Sequence, residues 1–542
     1  MEPVPARLAA WLRRRGWALL LVVAYLYSFP WYERIHSANE LPRAYLVMAM
    51  VDHGSFRIDD GVRRWGVTAD VSRARLLLRD VDRVTSVHGR VRHGSAVGAH
   101  YSNKAPGSSM LAIPGYLLLK GWHAVAGGAP SLAEVVWMSR VTTGIIPSLL
   151  FLWLLWGFLA RFTPSVGARR LTVLTLGVGS MFFLYSILFI SHPLAAVAIG
   201  AAWIVAVGAI EAERWSMMAV AGLLAGCAPL VDYQAAFAGV PVAIWVVVGA
   251  RRRGYALRAV GWAAAGAALP IAILLYYHWA CFGSPWLTGY EASDTFAQFH
   301  QKGFLGMDKL RWEAFTGSMI APTNGLLFFW PAALLAIPGW VLMARDRALR
   351  GHAAVTLSVA VIYILFISAL NFWRGGWQVG PRYTMAMLPF LAPPIAVALA
   401  AAERRWWLRG GAAGLIGVGL VTYGLTAALF PYFPDTKFRN PVHEITLRLL
   451  VDGHAPWNLG WLVGLRGLAS MVPYLLVLAA LAAGAMVPSG GAWRAAWRSS
   501  WRGVAAAVAI TVAILVAYRA IPGGGRAADE SYRRTIVGAM PS

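Results

Sequence analysis

Charged side chains are scarce in this sequence. They make up 13% of its 542 residues, whereas hydrophobic side chains make up 58%. A soluble globular protein carries about twice that share of charge. The scarcity therefore argues against a soluble enzyme or binding protein and predicts a polytopic membrane protein.

Acidic residues and lysines are the rarest of the charged residues. The chain has 24 acidic residues against 48 basic ones, for a net charge of +24. Its lysines are Lys104, Lys120, Lys302, Lys309 and Lys437. The arginines stand in short clusters between apolar stretches, as positive-inside topology signals do, and we therefore do not expect nucleic acid as a partner.

Cysteine is nearly absent, and the common nucleotide-binding motifs are missing. Cys227 and Cys281 stand alone in apolar stretches, so neither a zinc site nor an iron–sulfur centre is expected. The chain has no GxxxxGK[ST] loop, no GxGxxG turn after a strand, and no HExxH or GxSxG motif. These absences argue against an ATP-driven pump and a nucleotide-sugar enzyme.

Long apolar runs are what the sequence has in abundance. At roughly 20 apolar residues per span, we predict an all-α fold with about 13 transmembrane helices. They lie near 16–32, 135–160, 170–190, 193–210, 216–231, 233–250, 258–281, 324–343, 353–372, 381–402, 411–432, 461–487 and 503–520. The stretch 106–126 is apolar but is interrupted by prolines, glycines and Lys120, and we predict that it lies in the membrane interface.

Arginine-rich loops give the predicted orientation. With 106–126 in the interface, the amino-terminal RRR cluster and the arginine-rich short loops fall on one side, which the positive-inside rule identifies as the cytoplasm. Residues 1–522 then form one transmembrane domain, with 33–105 as a long first external loop that contains amphipathic interfacial helices. Residues 523–542 are expected to be a loosely ordered external tail. We expect a bacterial inner-membrane protein whose site faces the periplasm.

The first polar cluster opens the external loop. A short helix is predicted to begin at Asn39, with a proline in its first turn and Gly54 at its end. Glu40 and Arg43 lie one helical turn apart, so a surface ion pair is one interpretation. The alternative is that the Glu40 carboxylate, held at the membrane face, acts as a general base toward a hydroxyl. Tyr45 belongs to the same cluster.

The second cluster contains His100, Tyr101 and Lys104. A lysine just before an interfacial apolar run suits a lipid phosphate, although ordinary snorkelling to the headgroup level explains it equally well.

The third cluster, NFWRGGWQVGPRYTMAMLPF, contains Arg374, Gln378, Arg382 and Tyr383. Glycine lets backbone approach a ligand closely and arginine binds phosphate through a bidentate fork, which favours a site here over a plain membrane anchor.

Three further residues are weaker candidates for a substrate pocket. His192 lies at an external turn, where a structural role is the common one. Asp232 lies where two apolar runs meet, and an ionisable group near the membrane is a functional candidate even though a tight turn also accounts for it. Glu291 lies in the long external loop 282–322, where it lines a substrate entrance or is simply solvated.

Several motifs resemble those of a known enzyme family. NELPRAYLVMAMVDHGSF resembles the D-E-x-x-R-Y-type start of the first periplasmic loop in lipid-carrier-dependent glycosyltransferases of the C superfamily. YSNKAPGSSMLAIPGYLLLKGWHAVAG is similar to the K-P-P-L-x-x-W segment of the aminoarabinose transferases in that group, and PRYTMAMLPFLAPP is similar to their later Y-x-x-P-x-x-P span. SPWLTGYE and PTNGLLFFWP also follow the pattern of bacterial members. The motifs occur in the family's order between about residues 20 and 400.

The resemblance implies roles for individual residues. Glu40 corresponds to the carboxylate that activates the acceptor hydroxyl, and Lys104 to the lysine that contacts a polyprenyl phosphate. Arg382 and Tyr383, with Arg374 nearby, match the donor-phosphate side of the pocket. Asn39 stands where the family often has a first acidic residue, so no cofactor is required and a divalent metal is a disfavoured alternative. The other pocket candidates are Arg43, Tyr45, His100, Tyr101, His192, Asp232, Glu291 and Gln378.

The function implied is transfer of a sugar from a polyprenyl-phosphate donor to an acceptor hydroxyl, with inversion. Membrane lipids are the other expected partners, and the acceptor is a glycan, a lipid or a protein. A transporter or lipid flippase is the main alternative, for which charges inside the spans and helices broken in related halves would be expected. A non-catalytic assembly or polymer-export subunit is a third interpretation.

Overall fold

The structure is a computed structural model, and it describes residues 4–32, 37, 39–65, 100–290, 299, 302–434, 437–486 and 493–541. Across these residues the fold is helical, with three isolated β-bridges and no longer strand. The predicted all-α class is thereby confirmed.

The helices follow one another with short connections. In the first half they are Val4–Tyr27, Leu41–His53, Asp59–Trp65, Gly107–Ala126, Leu132–Arg140, Ile146–Leu159, Val166–Gly177, Met181–Ser186, Ser191–Ala212, Trp215–Val231, Ala236–Arg251 and Ala256–Phe282. In the second half they are Trp312–Met319, Leu326–Phe329, Ala336–Arg345, Arg350–Ala369, Leu388–Ala402, Trp406–Gly419, Thr426–Leu429, Arg448–Val451, Gly467–Met486, Trp493–Arg519 and Arg526–Ser531. The π-helical turns are Val141–Ile145, Leu420–Leu425, Val442–Leu447 and Tyr532–Ile536, and the 3₁₀ turns are Tyr233–Ala235, Pro331–Leu335, Arg382–Met387, Leu459–Val463 and Val537–Ala539.

The described part of the chain has nine helices that are long and apolar enough to cross a membrane, and three shorter apolar helices. The remaining predicted span, 170–190, is instead broken into Val166–Gly177 and Met181–Ser186. Between the two helices, Ser180 accepts a hydrogen bond from the amide of Phe182 (3.1 Å) and so starts a new helix. Both pieces are largely buried, so their apolar character reflects the protein core rather than contact with lipid.

The described helices of the predicted first external loop are packed against other helices. The helix Leu41–His53 ends at Gly54, whose φ of 57° gives the left-handed cap that the sequence predicts. Residues 41–49 are all buried, so the helix lies on other helices rather than on the bilayer surface. It packs on Gly107–Ala126, and Asp52 accepts hydrogen bonds from Tyr116 (2.8 Å) and Lys120 (2.6 Å) of that helix. Placement of 106–126 in the membrane interface stays a prediction.

The carboxy-terminal segment is helical rather than loosely ordered as expected. Arg526–Ser531 and the turns after it pack on the segment near Asp452. Tyr532 is 1% exposed and donates a hydrogen bond to Asp452 (2.8 Å), and Arg448 pairs with Asp529 (2.6 Å). The expectation rested on the polar and glycine-rich composition of the segment, whereas its order comes from apolar side chains spaced to face the domain.

We expect Tyr532→Ala to lower the free energy of unfolding by about 3 kcal/mol, because the change opens a cavity and removes a hydrogen bond. Thermal unfolding of the purified protein in detergent measures the effect. Arg534→Ala, which removes only an exposed ion pair with Glu530, should change stability by less than about 0.5 kcal/mol. Equal effects of the two substitutions would contradict the packing described.

Candidate functional site

Three cationic side chains that are distant in sequence converge on one buried region. Arg43 is 2% exposed, while Lys104 and Arg382 are each 7% exposed. Arg43 and Arg382 both act on the Lys104 ammonium electrostatically, and Asp232 supplies a negative charge among them. The sequence placed these residues in three separate clusters, and the fold brings the clusters together.

Arg43 is held by direct hydrogen bonds to neutral groups. Its guanidinium donates to the backbone carbonyl (2.5 Å) and the side-chain oxygen of Asn39. It also donates to the hydroxyls of Ser108 (3.2 Å) and Ser191 (2.8 Å). These are all neutral acceptors, so the orientation of Arg43 is fixed while its positive charge is retained.

Asp232 and His192 form a second hydrogen-bonded unit beside Arg43. Asp232 follows the helix Trp215–Val231, and His192 lies in the first turn of Ser191–Ala212. One carboxylate oxygen of Asp232 accepts from Nδ1 of His192 and from the hydroxyl of Ser191 (3.1 Å). Since Asp232 binds Nδ1, the imidazole Nε2 is the nitrogen left for a ligand. The ring of Tyr383 lies edge-on to the imidazole, with 5.6 Å between ring centroids.

Lys104 reaches this region because the chain after it passes very close to the end of the helix Trp215–Val231. A Cβ atom at Gly107 would lie 2.7 Å from the carbonyl oxygen of Leu230, so this approach requires glycine. The Lys104 ammonium lies 4.7 Å above the ring of Tyr290 and 3.5 Å from its hydroxyl. The aromatic ring stabilises the buried cation without neutralising it.

Arg382 is fixed by the loop that precedes it. Its guanidinium donates to the carbonyl of Gly375 (2.5 Å) and, at 3.4 Å, to that of Trp377. Arg382 Nε and both polar atoms of the buried Asn103 side chain have no hydrogen-bond partner within the described ranges. Buried donors without partners are costly, and a bound anion or hydroxyl would relieve that cost.

Burial and mutual repulsion set the electrostatics of the site. Burial lowers the pKa of Lys104 well below its ordinary value, and the neighbouring charges of Arg43 and Arg382 lower it further. Burial alone would raise the pKa of Asp232, but His192, Arg43 and Ser191 hold it below its ordinary value. Among the described residues, three cations therefore face one carboxylate in low-dielectric surroundings, which is an arrangement that can bind an oxyanion such as phosphate.

Glu40 does not pair with Arg43 and does not lie on the surface. It is 3% exposed and forms a bidentate ion pair with Arg140, with distances of 2.9 and 3.0 Å. Its oxygens also accept from the amide of Phe189 (2.7 Å) and the hydroxyl of Tyr432 (2.7 Å). The expectation of a surface Glu40–Arg43 pair is wrong, because the tertiary partner Arg140 takes both carboxylate oxygens.

The same contacts bear on the catalytic role predicted for Glu40. Burial alone would raise the pKa of this carboxyl, but Arg140, Phe189 and Tyr432 hold it below its ordinary value. An ionised carboxylate with four donors is a weak base, so these contacts favour a positioning role. The general-base assignment stays an untested prediction.

Sequence reasoning missed Arg140 and Tyr432 as partners of Glu40, and Asn103 and Tyr290 as neighbours of Lys104. Arg140 carried a signal that could have been used, since an arginine within an apolar span needs a buried acceptor. No local pattern marks Tyr432, because its contact with Glu40 joins residues 392 positions apart.

Other predicted residues lie elsewhere. Arg374 is about half exposed and lies 3.7 Å from the carboxylate of Glu313. Gln378 lines a separate pocket. Tyr45 stacks on Trp65, with ring centroids 6.3 Å apart. The structure thus separates these side chains from the cationic region.

Two residues of the second cluster have structural contacts of their own. His100 pairs through Nδ1 with Asp59 (2.7 Å), and Tyr101 packs edge-on against Phe282. Glu291 lies outside the described residues. Within the described ranges, no group of three or more histidine, cysteine, aspartate or glutamate side chains is arranged to hold a metal ion.

Comparison with known proteins gives structural likenesses only. No family model matches the chain. No curated protein matches it either. The fold is similar to the crystal structure of the aminoarabinose transferase ArnT from Cupriavidus metallidurans in the apo state, with 14% identity, a TM-score of 0.49, and coverage of 94% of this chain and 78% of that one.

Two further structures show related likenesses. ArnT from the same organism bound to undecaprenyl phosphate gives 13% identity, a TM-score of 0.45, and coverage of 93% and 77% of the two chains. The apo oligosaccharyltransferase from Archaeoglobus fulgidus gives 12% identity, a TM-score of 0.42, and coverage of 79% and 57%. An aminoarabinose transferase is thus among the structural neighbours. Because the TM-scores lie below 0.5, the functional proposal rests on the geometry of the site.

We expect Glu40→Gln to lower the free energy of unfolding by about 3 kcal/mol, because it leaves the buried Arg140 charge without a counter-ion. Activity per folded molecule should stay within about threefold of the native protein, as for a residue that positions others. Thermal unfolding and single-turnover assays of the purified variant measure both effects.

Glu211→Gln is the matched control, since Glu211 pairs with Arg161 at an exposed position. Its effect on stability should be below about 1 kcal/mol. A Glu40→Gln variant that is as stable as the native protein but inactive would instead support the general-base role.

Proposed function

We propose that the protein is an integral-membrane glycosyltransferase that moves a sugar from a polyprenyl-phosphate carrier to an acceptor hydroxyl. The observation that carries this proposal is the convergence of three buried cations, Arg43, Lys104 and Arg382, around the carboxylate of Asp232. Clustered cations are expensive to bury, and an anionic ligand would offset that cost. A lipid phosphate supplies that charge at the membrane.

The three cations bind and stabilise the phosphate of the donor. Arginine offers paired N–H groups to phosphate oxygens, and the lysine ammonium adds a point charge that can follow the oxygen on which charge develops. The two arginines are already held in place by Asn39, Ser191 and Gly375. Little reorganisation is therefore needed when the carrier phosphate becomes the leaving group.

The His192–Asp232 pair acts as the general base in this proposal. The acceptor oxygen attacks the anomeric carbon, the bond from that carbon to the phosphate oxygen breaks, and its electron pair leaves with the polyprenyl phosphate. The hydroxyl proton passes to Nε2 of His192, while Asp232 orients the ring through Nδ1. Attack opposite the leaving group inverts the anomeric configuration. His192 thus takes the role that the sequence predicted for Glu40.

The donor set of the site does not suit a divalent cation. Mg²⁺ and Ca²⁺ prefer several carboxylate and carbonyl oxygens, whereas here Asp232 is surrounded by cations and already bound to His192. We propose that side chains alone neutralise the leaving phosphate. The acceptor is a glycan, lipid or protein hydroxyl at the periplasmic face of a bacterial inner membrane.

We expect Lys104→Met and His192→Gln to lower sugar transfer by different routes. Lys104→Met should weaken binding of decaprenyl phosphate by about 10- to 100-fold, since it removes a charged partner. His192→Gln should keep that binding and lower the turnover rate by about 100- to 10,000-fold, since it removes the base. Lipid binding and transfer from labelled polyprenyl-phosphate sugars to an envelope extract in reconstituted membranes measure the two effects.

Lys120→Met is the matched control, because Lys120 pairs with Asp52 away from the site. It should leave lipid binding and transfer unchanged. Native-level transfer by Lys104→Met would contradict the proposed phosphate site. Donor-independent movement of lipid by the native protein, without sugar transfer, would support a flippase instead.

Affinity for decaprenyl phosphate should fall as the pH rises through the lowered pKa of Lys104, because its ammonium then loses the proton. Well above a pH of about 6, the second pKa of a phosphate monoester, the charge on the lipid no longer changes. Lys104→Arg keeps its charge as the pH rises and should flatten the dependence. Binding titrations at several pH values measure the slope, and identical slopes for the two proteins would contradict the assignment.

A further inference from the structure

Tyr233 and His278 form a hydrogen-bonded pair beside the cationic region. Tyr233 directly follows Asp232 in the chain, and His278 lies near the end of the helix Ala256–Phe282. The hydroxyl oxygen of Tyr233 lies 2.9 Å from Nε2 of His278, and Nδ1 of His278 lies 3.1 Å from the carbonyl oxygen of Pro285. These two contacts join the residue that follows Asp232 to the turn that follows the helix.

The carbonyl of Pro285 determines which nitrogen of His278 donates a hydrogen bond. A carbonyl oxygen can only accept, so Nδ1 must carry the proton that it donates. In a neutral imidazole Nε2 is then an acceptor, and the Tyr233 hydroxyl donates to it. Because His278 is only 4% exposed, solvent water has little access to either bond.

The turn held by His278 also carries Tyr290, the aromatic side chain beside Lys104. The ring of Tyr290 packs edge-on against that of Tyr233, with 5.8 Å between ring centroids. The Lys104 ammonium lies 4.7 Å from the centre of the Tyr290 ring. Tyr233 therefore contacts Tyr290 through its ring and holds the same turn through its hydroxyl.

The other side of this turn is packed on the segment that carries Lys104. A Cβ atom at Gly289 would lie 2.6 Å from Cα of Asn103 and 2.7 Å from its carbonyl oxygen, so this approach of two backbones requires glycine. Near the end of the helix, the hydroxyl of Tyr277 donates to the carbonyl of Ser102 (2.9 Å). The turn is thus held on one side by backbone contact and on the other by the histidine hydrogen bonds.

We propose that Tyr233 and His278 are positioning residues, which hold Tyr290 against the Lys104 ammonium and so set the place of that charge relative to Asp232. The inference rests on the proposed function and adds the contacts that keep the phosphate-binding lysine in place. A binding group must be held within about 0.5 Å of its working position. Lysine has a flexible four-carbon stem, so its charge depends on such support from its neighbours.

The test is a titration of the full-length protein in lipid nanodiscs with decaprenyl phosphate. Tyr233→Phe keeps the ring and removes the hydroxyl, and it should weaken binding by about three- to tenfold, as expected for the loss of one buried hydrogen bond. His278→Phe removes both hydrogen bonds of the imidazole and should weaken binding at least as much. His278→Gln has a side-chain oxygen that can accept from Tyr233, and it should bind the lipid more tightly than His278→Phe.

The same substitution in a Lys104→Met background separates positioning from a general loss of stability. In that background Tyr233→Phe should change the affinity by less than about twofold, because no ammonium is left to position. A residue that acts independently of Lys104 would instead weaken binding by the same factor in both backgrounds. An undiminished effect of Tyr233→Phe in the Lys104→Met protein would therefore overturn the inference.

Tyr255→Phe is the matched control, since Tyr255 stands at the other end of the same helix and its hydroxyl donates to the carbonyl of Ile210 (2.7 Å). It removes a comparable hydrogen bond away from the site and should leave the affinity for decaprenyl phosphate unchanged. Native affinity in Tyr233→Phe, or equal losses in Tyr233→Phe and Tyr255→Phe, would overturn the positioning role alone. A native protein that does not bind decaprenyl phosphate would overturn the proposed function together with it.

Discussion

The buried ion pair between Glu40 and Arg140 is the contact on which the arrangement of the site depends. It joins the residue before helix Leu41–His53 to the end of helix Leu132–Arg140, and Phe189 and Tyr432 add hydrogen bonds from two further segments. Arg140 also donates to the carbonyl of Pro30 (2.8 Å), so the end of the first helix is tied to the same point. Five segments therefore meet at one pair of charges, and the position of Arg43, one turn after Glu40, follows from it.

The polar residues of the site lie where helices are interrupted. Asp232 separates two helices, Lys104 precedes one, and Arg382 opens a 3₁₀ turn. In a membrane protein, backbone groups freed at such breaks must find partners inside the protein, which favours polar surroundings at these points. Charged groups are less costly there than within an unbroken span. The interruptions leave fewer long helices than the sequence predicts, and they are also the places where polar side chains can come together.

Much of this arrangement could be predicted from the sequence, and the part that could not be predicted has a physical cause. Composition is sufficient for the helical membrane class, because a long apolar run has few stable alternatives in lipid. Lys104, Asp232 and Arg382 could be named as candidates because ionisable groups are rare in such a chain.

Which charges pair could not be predicted. Helix geometry correctly places Glu40 and Arg43 one turn apart, but a local pair of this kind contributes little energy. The bidentate contact with Arg140, 100 positions away, is stronger and leaves Arg43 for the site. The carboxy-terminal tail differs from its expected loose order for a related reason, since the ordering of Tyr532 depends on Asp452, which is 80 positions away.

Asn39 gains a physical role from these contacts. As a sequence feature it stands where a second acidic residue would provide paired carboxylates for a metal ion. In the structure its side chain accepts a hydrogen bond from Arg43 and is neutral. An aspartate at this position would hold Arg43 equally well but would cancel its charge, and the site would lose one of its three cations. The amide therefore fixes Arg43 while preserving the surplus of positive charge, which is the property that a phosphate-binding site requires.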